Sequence, residues 1–184
     1  MSRRVVLIVL GVLAGWQLLS AGWVQARGLT GQWLMEKSWQ QQEHGNPPGA
    51  PWPGARTRPV ARLHVPDLAI DRLVVEGIET PNLAWGPGIA TGESGHTVIA
   101  AHRDTHFRFL GRLEPEHRIE LEYPAGQVGH WRVTSRHVVD SRTTAIDLDA
   151  PGPALTLITC WPLDAIETGG PLRLVVSAEP EADA

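Results

Sequence analysis

Between residues 60 and 178, short runs rich in Val, Ile and Leu recur between Gly, Pro and Asp residues, and this pattern most restricts the possible folds. The chain holds 19 Gly and 15 Pro, which favour short strands and turns over long helices and argue against a helix bundle. We predict an all-β domain, a closed eight-stranded β-barrel without exposed strand edges, with short helices near 82–85 and 105–113. The candidate strands are 60–65, 68–70, 73–76, 97–101, 119–123, 131–139, 155–160 and 172–177.

The N-terminal segment carries a different pattern. Residues 5–24 contain no charged side chain, and about 20 apolar residues in a helix span the hydrocarbon core of a bilayer. Arg3 and Arg4 precede this stretch whereas only Arg27 follows it closely, so the positive charge predicts a cytoplasmic N-terminus. We therefore predict a single-pass anchor in the inner (plasma) membrane, with the domain on the periplasmic or extracytoplasmic side. A cleaved signal peptide ending near Ala26 is the alternative.

These patterns divide the chain into four parts. Residues 1–27 are the predicted anchor with a basic cytoplasmic end. Residues 28–59 combine an amphipathic helical spacer containing Trp33, Met35 and Trp39 with an extended linker rich in Pro and Gly. Residues 60–178 form the predicted barrel. Residues 179–184 are small and acidic, and we expect them to be frayed.

The chain has a single cysteine, Cys160. An internal disulfide framework and a thiolate-rich metal site each need several cysteines, so both are excluded. The two-residue period of the strand 155–160 places Cys160 at the strand end, where side chains become accessible. Because an unpaired thiol is at risk of oxidation in an exported domain, Cys160 has either a chemical use or a deeply buried position.

Two other residues have properties that a nucleophilic thiol needs in its partners. His102 follows the candidate strand 97–101, and an imidazole can favour a thiolate and return a proton to a leaving amine. Arg173 lies in an apolar strand, where its guanidinium needs an anion, such as the oxyanion formed when a carbonyl is attacked. Taken alone, His102 is also compatible with a surface histidine, and Arg173 with a salt bridge or a surface position.

Two further interpretations are weaker. His102 and His106 are spaced like zinc ligands on a helix, but Arg103 stands where a metalloprotease has a glutamate and no third ligand has a recognisable spacing. The formal net charge of −4 argues against nucleic acid as a partner, because binding phosphates needs a cationic surface. We predict no metal or organic cofactor.

The order of the motifs resembles that of the sortase family across nearly the whole predicted domain. In sortases a histidine follows an Ala-Gly or similar pair, a Thr-Leu-x-Thr-Cys strand supplies the nucleophile, and an arginine lies about one strand later. Here His102 follows Ala-Ala, residues 156–160 read TLITC, and Arg173 follows in the last strand. The anchor, the spacer containing tryptophan and the Pro-Trp-Pro linker look most like the Gram-negative class of sortases.

The resemblance implies a membrane-anchored cysteine transpeptidase with His102, Cys160 and Arg173 as catalytic residues and Thr159 as a substrate-positioning residue. Its expected partners are a substrate protein with a C-terminal sorting signal similar to Leu-Pro-x-Thr-Gly, and an amine acceptor. The expected reaction passes through a thioacyl intermediate on Cys160. Two alternatives remain: a cysteine endopeptidase that releases the same substrate to water, and a non-catalytic barrel that binds an extended peptide.

Overall fold

A computed structural model describes residues 3–43, 49–165, 167 and 169–181. The chain divides into two compact units, Met1–Leu34 and Met35–Ala184. The predicted linker residues 44–48 and the tail residues 182–184 lie outside the described part of the chain. The barrel and the candidate site both belong to the second unit.

One helix, α1 (Arg3–Glu43), covers both the predicted anchor and the predicted spacer helix. No proline interrupts this part of the sequence, so backbone hydrogen bonding continues without a break. Among the described residues, no helix has the length and the hydropathy that crossing a membrane requires, so the predicted anchor is not supported by the structure.

The predicted amphipathic character of the spacer is only partly present. Leu29 and Trp33 are exposed in the first unit. In the second unit Met35 and Trp39 are fully buried, and their spacing of four residues places them on one face of α1. An ion pair between Glu36 and Arg62 joins this end of the helix to the barrel.

The second unit contains a closed barrel of eight strands in the order β1-β2-β3-β4-β7-β8-β6-β5, which confirms the predicted fold class. The pairing of β1 with β5 closes the barrel. Two of the pairs, β2 with β3 and β4 with β7, are parallel, and the others are antiparallel. The strands are β1 (Pro59–Val65), β2 (Ile70–Glu76), β3 (Gly88–Thr91), β4 (Thr97–Ala100), β5 (Arg118–Glu122), β6 (Val128–Asp140), β7 (Leu155–Cys160) and β8 (Leu172–Pro180).

The count of eight strands is correct, but two of the assignments differ. The predicted strands 68–70 and 73–76 are a single strand, β2, which follows a short 3-10 turn, Pro66–Leu68. β3 is missing from the predicted strands, because its sequence begins in a stretch rich in glycine. A Cβ at Gly88 would lie 2.1 Å from the carbonyl oxygen of Gly77, so a residue without a side chain permits the close approach between β2 and β3.

The predicted short helices are present as α2 (Thr80–Leu83), a π-helix (Arg103–Phe107) and a 3-10 stretch (Arg108–Arg112). The last strand continues to Pro180, beyond the predicted end of the barrel. Glu181 then donates its backbone N–H to the carbonyl of His130 at 2.9 Å, so the chain stays paired up to this residue.

The barrel interior is filled by side chains from alternate strand positions. On β7, Leu155 and Leu157 belong to this core, while Ile158 and Cys160 are only half-buried. This alternation places Cys160 on the outer face of the barrel, as the two-residue period predicts. Other large core side chains are Leu63, Ile99, Phe107, Leu110, Leu113, Ile119, Leu121 and Val176.

Candidate functional site

His102 and Cys160 lie at the same edge of the barrel. β4 and β7 are parallel and adjacent, with Ala100 paired with Ile158. Parallel strands end at the same edge of a sheet, so the residues that follow β4 lie beside the end of β7. The backbone N–H of Ala101 donates to the carbonyl of Ile158 at 3.1 Å, which continues this pairing up to His102.

Arg173 is the cross-strand neighbour of Cys160. β7 and β8 are antiparallel, and these two residues lie directly opposite each other. Side chains of opposed residues leave the same face of a sheet with Cβ atoms about 4.5–5.5 Å apart. Nη1 of Arg173 donates to the carbonyl oxygens of Gly170, at 2.6 Å, and of Leu172, at 2.9 Å. The structure therefore brings together all three residues that the sequence predicts to be catalytic.

A cleft of about 400 Å³ opens at this edge of the barrel. Cys160 is half-buried and forms no disulfide, and His102 is exposed, so both side chains are accessible from the cleft. Arg173 lies beside the cleft and is not part of its lining. The wall opposite the strand ends comes from the loop between β7 and β8, including Trp161, Pro162, Ala165, Glu167, Gly169 and Gly170.

Arg103 shapes the cleft, although no sequence pattern predicts a role for it. The residue is buried, with 5% of its surface exposed. Nη1 donates to the carbonyl of Pro162 at 2.7 Å, and Nη2 donates to those of Ala165 at 2.6 Å and Glu167 at 2.9 Å. Nε donates to the Asp104 carboxylate at 3.1 Å. One guanidinium thus holds three carbonyls of the loop that lines the cleft, directly after His102.

Thr159 lies in the core and not in the cleft. Its side chain is 2% exposed, and its hydroxyl donates to the carbonyl of Ala101 at 2.8 Å. The bond ties the end of β7 to the residue before His102. This placement differs from the substrate-positioning role that the family resemblance implies, because a buried hydroxyl on the inner face has no access to a peptide in the cleft.

We expect Thr159→Val to lower the free energy of unfolding by about 1–3 kcal/mol, because the buried Ala101 carbonyl then loses its donor. Urea unfolding measures the change. Thr134→Val is the matched control: this exposed threonine also donates to a backbone carbonyl, that of Ser177, and its loss should change stability by no more than about 0.5 kcal/mol. Equal effects of the two substitutions would contradict the importance of the buried bond.

A second cleft, of about 490 Å³, is lined by the next residues of the same two segments. Thr105 and His106 follow Asp104 in the π-helix, and Leu163 and Asp164 follow Pro162 in the β7–β8 loop. Burial, and then the nearby charges of Arg72 and His102, lower the pKa of His106 to about 4. His106 is therefore neutral in the folded protein near pH 7.

This low pKa predicts a pH dependence of stability. Between pH 6.5 and 4 the unfolded chain binds a proton at His106 that the folded chain does not bind, so stability falls as the pH is lowered through this range. We expect His106→Gln to lose less thermal stability than the unmodified protein between pH 6.5 and pH 4. Melting temperatures at the two pH values measure the difference. Identical losses in both proteins would contradict a neutral, half-buried imidazole at His106.

Among the described residues, no group of three or more His, Cys, Asp and Glu side chains is arranged to hold a metal ion. His102 and His106 in particular line different clefts. The zinc interpretation of their spacing therefore gains no support from the structure.

Comparisons with known proteins identify relatives of the barrel. A family model described as the sortase domain matches residues 63–181. Over 119 residues the chain is 29% identical to sortase D of Bacillus subtilis (strain 168), which covers 62% of this chain and 60% of that protein. Sortase A from Corynebacterium diphtheriae has a similar structure, with a TM-score of 0.59 and 26% identity, over 71% of this chain and 64% of that chain.

Sortase C-1 from Actinomyces oris is also similar, with a TM-score of 0.57 and 26% identity, over 68% of this chain and 75% of that chain. The chain spans less than two thirds of the length of the Bacillus and Corynebacterium proteins.

Proposed function

Because this chain belongs to the sortase family, we propose that it is a cysteine transpeptidase that cleaves a C-terminal sorting signal and transfers the substrate protein to an amine. The observation that carries this proposal is the meeting of His102 and Cys160 in one cleft, with Arg173 opposite Cys160 on the neighbouring strand. A thiol, a titratable imidazole and a fixed cation are the groups that acyl transfer through a thioester requires.

In the proposed reaction the Cys160 thiolate attacks the carbonyl carbon of the scissile peptide bond and forms a C–S bond. The carbonyl oxygen becomes an oxyanion beside Arg173, which stabilises its charge. The C–N bond then breaks, and protonated His102 gives its proton to the departing amine. An incoming amine attacks the thioester, His102 takes a proton from it, and the Cys160 thiolate leaves.

Arg173 has donors available for this task. Both of its backbone contacts use the same nitrogen, Nη1, and no hydrogen bond donated by Nε or Nη2 is found within the described part of the chain. The guanidinium can therefore stay anchored to the Gly170 and Leu172 carbonyls while its other N–H groups donate to an oxyanion.

The test uses a peptide containing Leu-Pro-x-Thr-Gly, incubated with the protein in the presence and absence of a small amine. Mass spectrometry should detect an acyl adduct on Cys160 and, when the amine is present, the peptide joined to it. Release of the free acid at the same rate with and without the amine would instead indicate a signal-specific endopeptidase. An intact peptide and no adduct across a library of related signals would overturn both activities.

We also propose that the domain acts outside the cytoplasm, in the periplasm or on the outer side of the plasma membrane, held there by the N-terminal segment. The uncharged stretch 5–24 and the two arginines before it support this location. The N-terminal region and the Pro-Trp-Pro linker support placement in the Gram-negative class of sortases. Protease digestion of intact and permeabilised cells tests the location, since an extracytoplasmic domain is cleaved after the outer barrier alone is opened.

A further inference from the structure

The second cleft is strongly cationic. Arg72 from β2 and Arg108 and Arg112 from the 3-10 stretch contribute to its lining, and among the described residues that line it Asp164 is the only acidic one. The chain as a whole carries a formal net charge of −4, so this concentration of positive charge is local. We call these three arginines, together with His106, the cationic cleft.

Most guanidinium N–H groups of the arginines in the cationic cleft form no hydrogen bond within the described ranges. Arg108 and Arg112 are exposed, and within the described ranges neither forms a hydrogen bond or an ion pair with the protein. Arg72 donates only to the backbone carbonyl of Asp71, at 2.7 Å, and the Asp71 carboxylate is held by Arg62. Asp164 bonds to none of the three. Guanidinium groups whose N–H donors are not used by the protein suit the bidentate binding of carboxylate or phosphate.

The other residues that line the cationic cleft indicate a ligand that carries an anionic group and is larger than an inorganic ion. Ile70, Phe109 and Leu163 add apolar surface, and the cleft volume of about 490 Å³ exceeds what a single inorganic ion fills. Neutral His106 adds a ring that can donate or accept a hydrogen bond. A molecule with an anionic group and a body of moderate size fits this combination.

We propose that the cationic cleft binds the anionic group, phosphate or carboxylate, of the amine that resolves the thioacyl intermediate. This inference rests on the transpeptidase function proposed above. The two clefts share walls, because Asp104 and Pro162 line the first while Thr105 and Leu163, their neighbours in sequence, line the second. An acceptor anchored by its anion in the cationic cleft would direct its amine towards Cys160 in the adjoining cleft.

A binding experiment tests the site without using the enzymatic activity. Inorganic pyrophosphate and citrate are titrated calorimetrically into the full chain at low salt. We expect saturable binding of at least one anion, weakened about tenfold or more in the double variant Arg108→Gln/Arg112→Gln. Arg56→Gln is the matched control, since Arg56 is an exposed arginine outside the cleft. Absence of binding, or equal affinities of the double variant and the control, would overturn the site.

An acceptor experiment then tests the link to the reaction. Aminoethyl phosphate, β-alanine and ethanolamine present the same primary amine with a phosphate, a carboxylate or no anion. We expect the ratio of transfer to an anionic amine over transfer to ethanolamine to fall about tenfold or more in the double variant and to be kept in Arg56→Gln. The preferred amine distinguishes phosphate from carboxylate. Equal ratios in all three proteins would overturn the acceptor assignment. Anion binding without transfer to any amine would overturn the transpeptidase function but not the presence of an anion-binding site.

Discussion

Replacing Cys160 by alanine is expected to abolish the acyl adduct and to lower peptide cleavage by at least ~10³-fold, because the variant has no atom that can form the thioester. Cys160 is the only cysteine of the chain, so no other thiol can replace it. Its side chain is half-buried on the outer face of the barrel, and removing a sulfur there leaves the core intact. We therefore expect the variant to fold and to bind the signal peptide with nearly unchanged affinity. Intact-protein mass spectrometry and a fluorescence binding assay measure these two outcomes.

Ile158→Val is the matched control for this substitution. Ile158 lies two residues before Cys160 on the same face of β7 and is also half-buried, but it is not part of the cleft. Its shortening should leave the adduct and the cleavage rate within about twofold of the unmodified protein, since the residue does not line the cleft. Cleavage that survives in Cys160→Ala at the level of this control would exclude Cys160 as the nucleophile.

Replacing Arg103 by methionine should lower kcat/KM by about 10²-fold, the effect of small displacements of groups that position a substrate. The substitution removes the donors from three loop carbonyls, those of Pro162, Ala165 and Glu167. Charge-assisted hydrogen bonds contribute about 1.5–3 kcal/mol each, so the loop that forms one wall of the cleft should lose its fixed shape. Steady-state kinetics with the signal peptide measures the loss.

Three comparisons separate this positioning role from a general loss of stability. Arg118→Met removes an exposed arginine paired with Glu181 and should leave the kinetics unchanged. Arg103→Lys keeps the charge, but an ammonium lacks the planar fork that reaches three carbonyls, so it should restore only part of the activity. The rate at which a small neutral reagent alkylates Cys160 should change little in Arg103→Met, because the thiol itself stays in place. A variant with a lower melting temperature but normal kinetics would show that Arg103 only stabilises the fold.

The strands that carry the site could be predicted because their sequence signals are local. β4 and β7 consist of Val, Ile, Leu and Thr except for their last residues, Ala100 and Cys160, and their observed ends agree with the predicted ones to within one residue. β3 could not be predicted in this way. In the sequence, Gly88 indicates a turn. Its role in the strand, which is to make room for the Gly77 carbonyl, becomes visible only when β2 and β3 are paired.

The roles of Arg103 and of the cationic cleft could not be predicted from the sequence either, because both depend on contacts between distant segments. In the sequence Arg103 is one arginine among many, and only the folded chain shows it buried against carbonyls about 60 residues away. Arg72 and Arg112 are likewise distant in sequence and become neighbours of one cleft through the barrel. For Thr159 the sequence suggested a role that the structure does not support. Its place in the family motif suggests a role at the cleft, whereas its buried hydrogen bond to Ala101 gives it a role in the core.

The amino-acid sequence by itself determined the class of fold, the family through the order of its motifs, and the positions of a lone thiol, a histidine and an arginine at or near strand ends. These properties follow from residue type and from periods of two residues along one strand, which no distant contact can alter. The tertiary structure alone decided that Cys160 and His102 share a cleft, that Arg173 lies opposite Cys160, and that Arg103 holds the wall beside them. Those relations depend on which strands pair and in which register, and pairing is settled by packing across the whole barrel and not by any single segment.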